Sequence, residues 1–173
     1  MRRGRLLPTF RLSPDDALAA ADEAAAGGLD GVFCYDHLWP MGSPQRPAIA
    51  PFEVLAVVAR RHPSLTVGPL VARIGLVAED VLLAQCRALR AVASGDVVIG
   101  LGTGDRLSRE ENLAYGIGYD DPEVRRGALC RVAAALREEG VEVWIGGGHE
   151  RTNAIAASVG ALLNLWDASP EDV

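Results

Sequence analysis

The chain has 173 residues, 49% of them hydrophobic, and a formal net charge of −6 in which every basic residue is an arginine. That length suits one domain with a real core, and the acidic balance argues against general binding to nucleic acid or to an anionic membrane. No segment offers the ~20 unbroken apolar residues of a membrane span, and the basic start MRRGRLLPTF carries too short an apolar run for a signal peptide, so cytoplasm is the expectation.

In chain order, the first strand is read at Arg5–Thr9. The stretch RLSPDDALAAADEAAAGG then signals a helix over Pro14–Ala26: Ser13 is a natural N-cap, Pro14 fits the first helical position, and Gly27-Gly28 ends it. A strand at Gly31–Tyr35 leads into YDHLWP and a helix over Pro51–Arg61. A strand at Leu65–Val71 and a helix at Glu79–Ala93 follow. The strand Val97–Leu101 ends in GLGTGD, with no helix read directly after it. A helix at Pro122–Glu139, a strand at Glu142–Ile145, the loop GGGHE, a helix at Glu150–Ser158 and a strand at Ala161–Leu165 complete the series. The helix-start signal returns at Ser169, Pro170, Glu171 and Asp172, just before Val173. Cys34, Cys86 and Cys130 are odd in number and scattered, which fits buried thiols and neither disulfides nor a zinc site.

The strands are near-continuous apolar runs, the mark of parallel strands covered on both faces. Strict alternation with helices gives an α/β fold with right-handed crossovers. A doubly wound sheet would lean on Gly100, Gly102 and Gly104, but their G-x-G-x-G spacing is not the dinucleotide fingerprint. An incomplete TIM-type (β/α) barrel of about six parallel strands with helices outside accounts better for YDHLWP, GTGD and GGGHE, each of which lies just past a strand's C-terminal end. In a barrel those loops share one face.

From Arg5 to Val173 the sequence resembles the bacterial luciferase-like monooxygenase superfamily, most closely its branch that uses the deazaflavin coenzyme F420. The resemblance rests on GGLDGVFCYDHLWP, LTVGPLVARIGLVAEDVLLAQ, VVIGLGTGDRLSREENLAYGIGY, VWIGGGHERTNAIAA and NLWDASPEDV, in register. It implies a β/α barrel, with residues 1–173 forming one domain shortened after strand six, where relatives continue to strands seven and eight. Three departures from the family pattern stand out. The link RVAAALREEGVEVWIGG is short, GALLNLW replaces the usual Asp-Gly at strand six, and Arg90 stands where an Asp precedes strand four.

Imidazole suits proton transfer near neutral pH, so His37 is a candidate acid or base, the alternative being a loop cap. The resemblance makes His37 the active-site acid or base beside the cofactor ring, with Asp36 orienting it. It places Asp105 where sugar-phosphate dehydrogenases of the family carry a proton-donating Glu; a helix N-cap or solvated carboxylate is the competing reading. Gly102, Thr103 and Gly104 would let a cofactor approach the backbone, or simply make a tight turn. Gly146, Gly147 and Gly148, with the Thr152 hydroxyl, form a candidate phosphate cradle, or a flexible turn. The resemblance also implies a bulged third strand with a cis peptide at Leu70–Val71 behind the ring; an ordinary trans strand bent at Gly68-Pro69 is the alternative. Trp39 and Trp144 are read as core, His149 as a surface residue, and SREE and REEG as solvated helix faces or caps.

The implied cofactor is coenzyme F420 or FMN, the substrate an unknown small organic molecule, and the reaction hydride transfer or monooxygenation. The competing reading is a non-catalytic flavin-binding or structural remnant. The helices Pro51–Arg61 and Glu79–Ala93 are apolar over much of their circumference, including Val54, Val57, Leu82 and Leu83. In many relatives these helices form the dimer interface, so a homodimer through them is expected.

Overall fold

The computed structural model describes residues 2–40, 43, 44 and 46–166, so the closing Ser-Pro-acid-acid lies outside the described residues. Seven strands and six helices follow one another as β1 (Gly4–Leu6), α1 (Asp15–Ala26), β2 (Gly31–Cys34), α2 (Pro51–Arg61), β3 (Thr66–Pro69), β4 (Ala72–Arg73), α3 (Glu79–Val92), β5 (Val98–Gly102), α4 (Arg106–Ala114), α5 (Pro122–Glu138), β6 (Glu142–Gly146), α6 (Glu150–Val159) and β7 (Leu162–Asn164). All ladders are parallel. They run β1-β2-β3 and β4-β5-β6-β7, with a bridge from Val67 to Val97 joining the two sets. Since β3 and β4 are two halves of one broken strand, this is six strands in barrel order, and not an open order that reverses at a switch point.

Each helix turns one stripe inward. On α1 the stripe is Ala17, Ala20, Ala21 and Ala24, whose small side chains let the helix lie close on the sheet; on α3 it is Leu82, Cys86 and Leu89. Val32, Cys34, Val67, Ile99, Leu101, Val143 and Ile145 meet these stripes in the main core. The alternate strand residues point the other way, into the barrel, where the rings of Phe33 and Trp144 lie 5.7 Å apart. Burial pushes the Cys34 and Cys86 thiols up to about 12, so both are inert core groups. Cys130 is only half-buried, a correction to the expectation of three buried thiols.

Other details also differ from the sequence reading. At the first helix Asp15 opens the turn, and the Ser13 hydroxyl accepts from the Asp15 N–H at 3.2 Å. The third strand breaks at Leu70–Val71, whose peptide bond is cis. Beyond the break, β4 pairs with β5. Gly102 on β5 makes room for this detour, because a Cβ there would lie 2.5 Å from Val71 Cγ2. Helix α4 was absent from the expected series, though Asp105 was weighed as a helix N-cap and SREE as a helix face, and it starts directly after GLGTGD. Val54 and Leu82 face the core of their own chain, so they are not free for a partner. Among the described residues no helix is long and apolar enough to cross a membrane, and β1 and β7 each pair with one neighbour only.

The Gly102–Val71 contact makes a quantitative prediction. Gly102→Ala should lower stability by about 1–3 kcal/mol, the range for forcing extra volume into packed structure. Gly118→Ala, where a Cβ meets nothing within 4 Å, should stay within about 0.5 kcal/mol of the parent. Urea denaturation of the two variants checks both figures.

Candidate functional site

The C-terminal ends of β2, β4, β5, β6 and β7 surround a cavity of about 630 Å³. It is lined by Asp36, His37, Leu70, Val71, Gly102, Thr103, Gly104, Asp105, Gly146, Gly147, Gly148 and Thr152, so the candidate residues from separate loops converge on one mouth. Phe10, Tyr35 and Trp166 add an aromatic wall. Phe10 and Tyr35 stack with centroids 6.3 Å apart, and Tyr35 lies 6.2 Å from Trp166. His149, read as a surface residue, is exposed but sits on the rim as the N-cap of α6.

The residue that organises this mouth is Glu111, which the sequence reading had dismissed as part of a solvated SREE face. It is fully buried on α4. His37 Nδ1 donates to Glu111 Oε1 at 2.6 Å, while the Leu38 N–H and Arg73 Nη2 donate to Glu111 Oε2 at 3.1 and 3.0 Å. Burial alone would push the Glu111 carboxyl up. The bonds from His37 and Leu38 and the charge of Arg73 outweigh it and hold the group below the usual carboxylate range. The same bond to Glu111 raises the proton affinity of His37 against the opposing effect of burial. His37 therefore carries a proton to higher pH than an ordinary imidazole, and its Nε2 is the nitrogen left for a ligand.

Asp36 bonds a backbone amide and not the His37 ring. Its carboxylate accepts the backbone N–H of Arg73, fastening the end of β2 to β4, and burial pushes its proton affinity up despite the Arg73 charge. Asp105 is the N-cap of α4. Its Oδ1 accepts from the Ser108 N–H at 2.8 Å and the Ser108 hydroxyl at 3.1 Å. Partial burial raises its carboxyl, but the Ser108 bonds prevail and hold it below the ordinary value. An ionised cap has no proton to give, so the cap reading describes Asp105 better than the proton-donor one.

The Thr103-Gly104 turn is gripped from behind by Arg125, a buried side chain on α5 that sequence reasoning missed. Its Nη1 donates to the carbonyls of Thr103 and Gly104, its Nε donates to the Asp120 carbonyl at 2.9 Å, and its guanidinium covers the Tyr119 ring at 4.1 Å. Gly104 has φ +71, a conformation that favours glycine. At the other end of the mouth the candidate cradle is partly committed. The Gly147 N–H donates to the Asn164 carbonyl at 3.0 Å, the Gly148 N–H to Asn153 Oδ1 at 3.3 Å, and the Thr152 hydroxyl to the His149 carbonyl at 2.8 Å. Among the described residues no group of three or more His, Cys, Asp or Glu is placed to hold a metal ion.

The chain matches no family model and no curated protein by sequence. Its fold is shared with solved oxidoreductases. An F420-dependent secondary alcohol dehydrogenase, solved with an F420-acetone adduct, superposes with a TM-score of 0.82 at 16% identity, over 99% of this chain and 60% of that one. The coenzyme F420-dependent tetrahydromethanopterin reductase of Methanopyrus kandleri gives 0.67 at 11% identity, over 95% and 64%. The oxygenating constituent of 3,6-diketocamphane monooxygenase from Pseudomonas putida, in complex with FMN, gives 0.62 at 12% identity, over 94% and 64%. The fold these structures share with the chain is thus a β/α barrel, here in partial form, and the chain spans less than two thirds of their length.

The Glu111 arrangement fixes a pH dependence. His37 has a raised proton affinity in the fold, so the stability it contributes is complete below its ordinary value of 6.5 and is lost as pH rises through the higher folded value. Glu111→Gln removes the charge but keeps the shape. Its His37 should titrate at lower pH than the parent's by NMR, and Glu111→Leu should cost about 3–5 kcal/mol, as expected when one partner of a buried ion pair is deleted.

Proposed function

We propose that the chain is a luciferase-like oxidoreductase, of the F420-dependent branch, that binds coenzyme F420 or FMN in the barrel mouth and acts on a small organic substrate by hydride transfer or monooxygenation. The observation that carries this reading is the convergence, in one cavity, of His37, held from behind by Glu111, with Leu70, Val71, the Thr103-Gly104 turn and an aromatic wall. The cavity fits a flat heteroaromatic group: it is mostly apolar, it has Phe10, Tyr35 and Trp166 in its wall, and His37 offers it a proton. The phosphate end fits if Asn153 turns away and releases the Gly148 amide, because the Gly147 amide belongs to the link with Asn164.

A bound deazaflavin or flavin supplies the ring that gives or takes a hydride. Leu70, Val71, Gly102, Thr103 and Gly104 would hold it on one side, and Gly146, Gly148 and Thr152 at its phosphate end. Glu111 fixes the His37 tautomer by holding Nδ1–H. His37 then gives a proton from Nε2 to the oxygen of a substrate being reduced, or takes one from an alcohol being oxidised. Asp36 and Arg73 keep the β2 and β4 ends together, so the imidazole does not swing out of line.

A second reading, a flavin-binding or structural protein without turnover, draws on the committed cradle amides. Titration with FMN and with F420, followed by difference absorbance, separates the cases. The proposal expects a saturable spectral change with one of them and turnover of a simple alcohol or ketone. His37→Ala should cut that turnover by ~10²–10⁴ while shifting cofactor affinity little. Absence of any spectral change would sink the cofactor assignment, and binding without turnover would favour the second reading.

We also propose a homodimer. Val57, Val81 and Val92 are exposed on α2 and α3, and Ala56, Val57, Arg60 and Val92 border one shallow groove. Light scattering at micromolar concentration should give a dimer mass for the parent and a monomer mass for Val57→Asp.

A further inference from the structure

A second cavity, of about 340 Å³, lies beside the barrel mouth. Ile49, Phe52, Leu76, Val77, Leu82 and Tyr115 give it an apolar wall. Three residues line both this side chamber and the mouth: Asp36, His37 and Arg73. Arg73 is 3% exposed. Its Nη2 is bound to Glu111, but its Nε and Nη1 have no acceptor among the described residues. Buried guanidinium N–H groups are normally satisfied, so an acceptor is missing next to this wall.

We infer that the side chamber is a binding site for a small, neutral, mostly apolar organic molecule carrying one acceptor oxygen, such as a ketone, aldehyde or ether, whose oxygen is set toward the Arg73 guanidinium. The size follows from the volume: at the ~30 Å³ that one water occupies in the liquid, the chamber holds about ten non-hydrogen atoms. The neutrality follows from the charges facing it. Asp36 and Glu53 line the chamber together with Arg73 and His37, and Glu111 stands behind them on Arg73 and His37. An anion would meet two carboxylates as well as the guanidinium, a cation would meet Arg73 and His37, and either would surrender its hydration to an apolar wall. A neutral carbonyl meets the donors without that loss. The site stands apart from the cofactor assignment, since it needs only the chamber and its shared wall.

The test uses the full chain and acetophenone, a ketone of suitable size, observed by saturation-transfer NMR. Saturable binding is expected, weakened at least tenfold in Leu76→Trp and in Val77→Trp, which fill the chamber, and unchanged in Gly118→Ala, which lines neither cavity. Benzoate, the charged counterpart, should bind at least tenfold more weakly than acetophenone. Val77 is 37% exposed on the rim, so its variant decides the matter should Leu76→Trp lose its circular dichroism. No binding of acetophenone, equal binding in the parent and Val77→Trp, or benzoate binding as tightly as acetophenone would each overturn the inference. Acetophenone binding together with a failed FMN and F420 titration would leave the chamber standing and remove only the cofactor proposal.

Discussion

The carboxylate of Glu111 is the interaction on which the rest of the site depends. It is buried, ionised, and accepts from three donors that belong to two other parts of the chain: the imidazole and amide after β2, and the guanidinium on β4. A lone buried carboxylate would take up a proton. With three donors converging it keeps its charge, and in return it locks an imidazole, a strand end and a helix into one geometry. Desolvation offsets most of the attraction in such a buried cluster, so it contributes little net to folding. Its contribution is to position, since a His37 ring held at Nδ1 by a rigid partner offers Nε2 at a defined place.

That dependence explains what the sequence did and did not reveal. The inner strands β2, β3 and β5 were legible because they are buried on both faces and read as unbroken apolar runs, as in VVIGLG, whereas β1 and β7 lie largely exposed. Helices α1, α2, α3 and α5 were legible from their caps, Pro starts and apolar stripes. Helix α4 was missed because its inward stripe is Ser108, Glu111 and Asn112, at helical spacing but wholly polar. Apolar periodicity cannot find a helix that buries hydrogen bonds in place of hydrocarbon. One signal was present: Asp105 followed three residues later by Ser108, with Glu111 and Asn112 continuing the same face, is a cap leading into a polar ridge.

The mouth residues divide by how they were found. His37, Leu70 and Val71 were named from motifs, and the cis bond lies where the resemblance put it. The glycines were named too, but the structure gives Gly102 an additional reason of its own. What approaches it closely is Val71 and not necessarily a ligand. Arg125 was invisible for a different reason. One of the four arginines in RRGALCRVAAALRE looks like a surface charge, and only the fold shows Arg125 clamping the carbonyls of Thr103 and Gly104. Buried charges that act on backbone leave no pattern in a single sequence.

The partial barrel raises one last physical question, which is how much of the mouth relies on the edges. Its lining comes from the ends of β2, β4, β5, β6 and β7, and every ladder that aligns those ends is formed among the described residues. The cross-links that hold the loops, Glu111 to His37, Asp36 to Arg73 and Arg125 to Thr103, also lie between described elements. The weak side is β7, where Leu162, Leu163 and Trp166 are exposed at 58%, 42% and 75%. An apolar strand edge in water is a cost that a neighbour would relieve. Trp166 lines the mouth beside Tyr35, while His37 is held by Glu111 of α4. Covering or moving the β7 edge therefore reshapes the aromatic wall and with it the width of the mouth, but leaves the proton-handling pair where Glu111 put it.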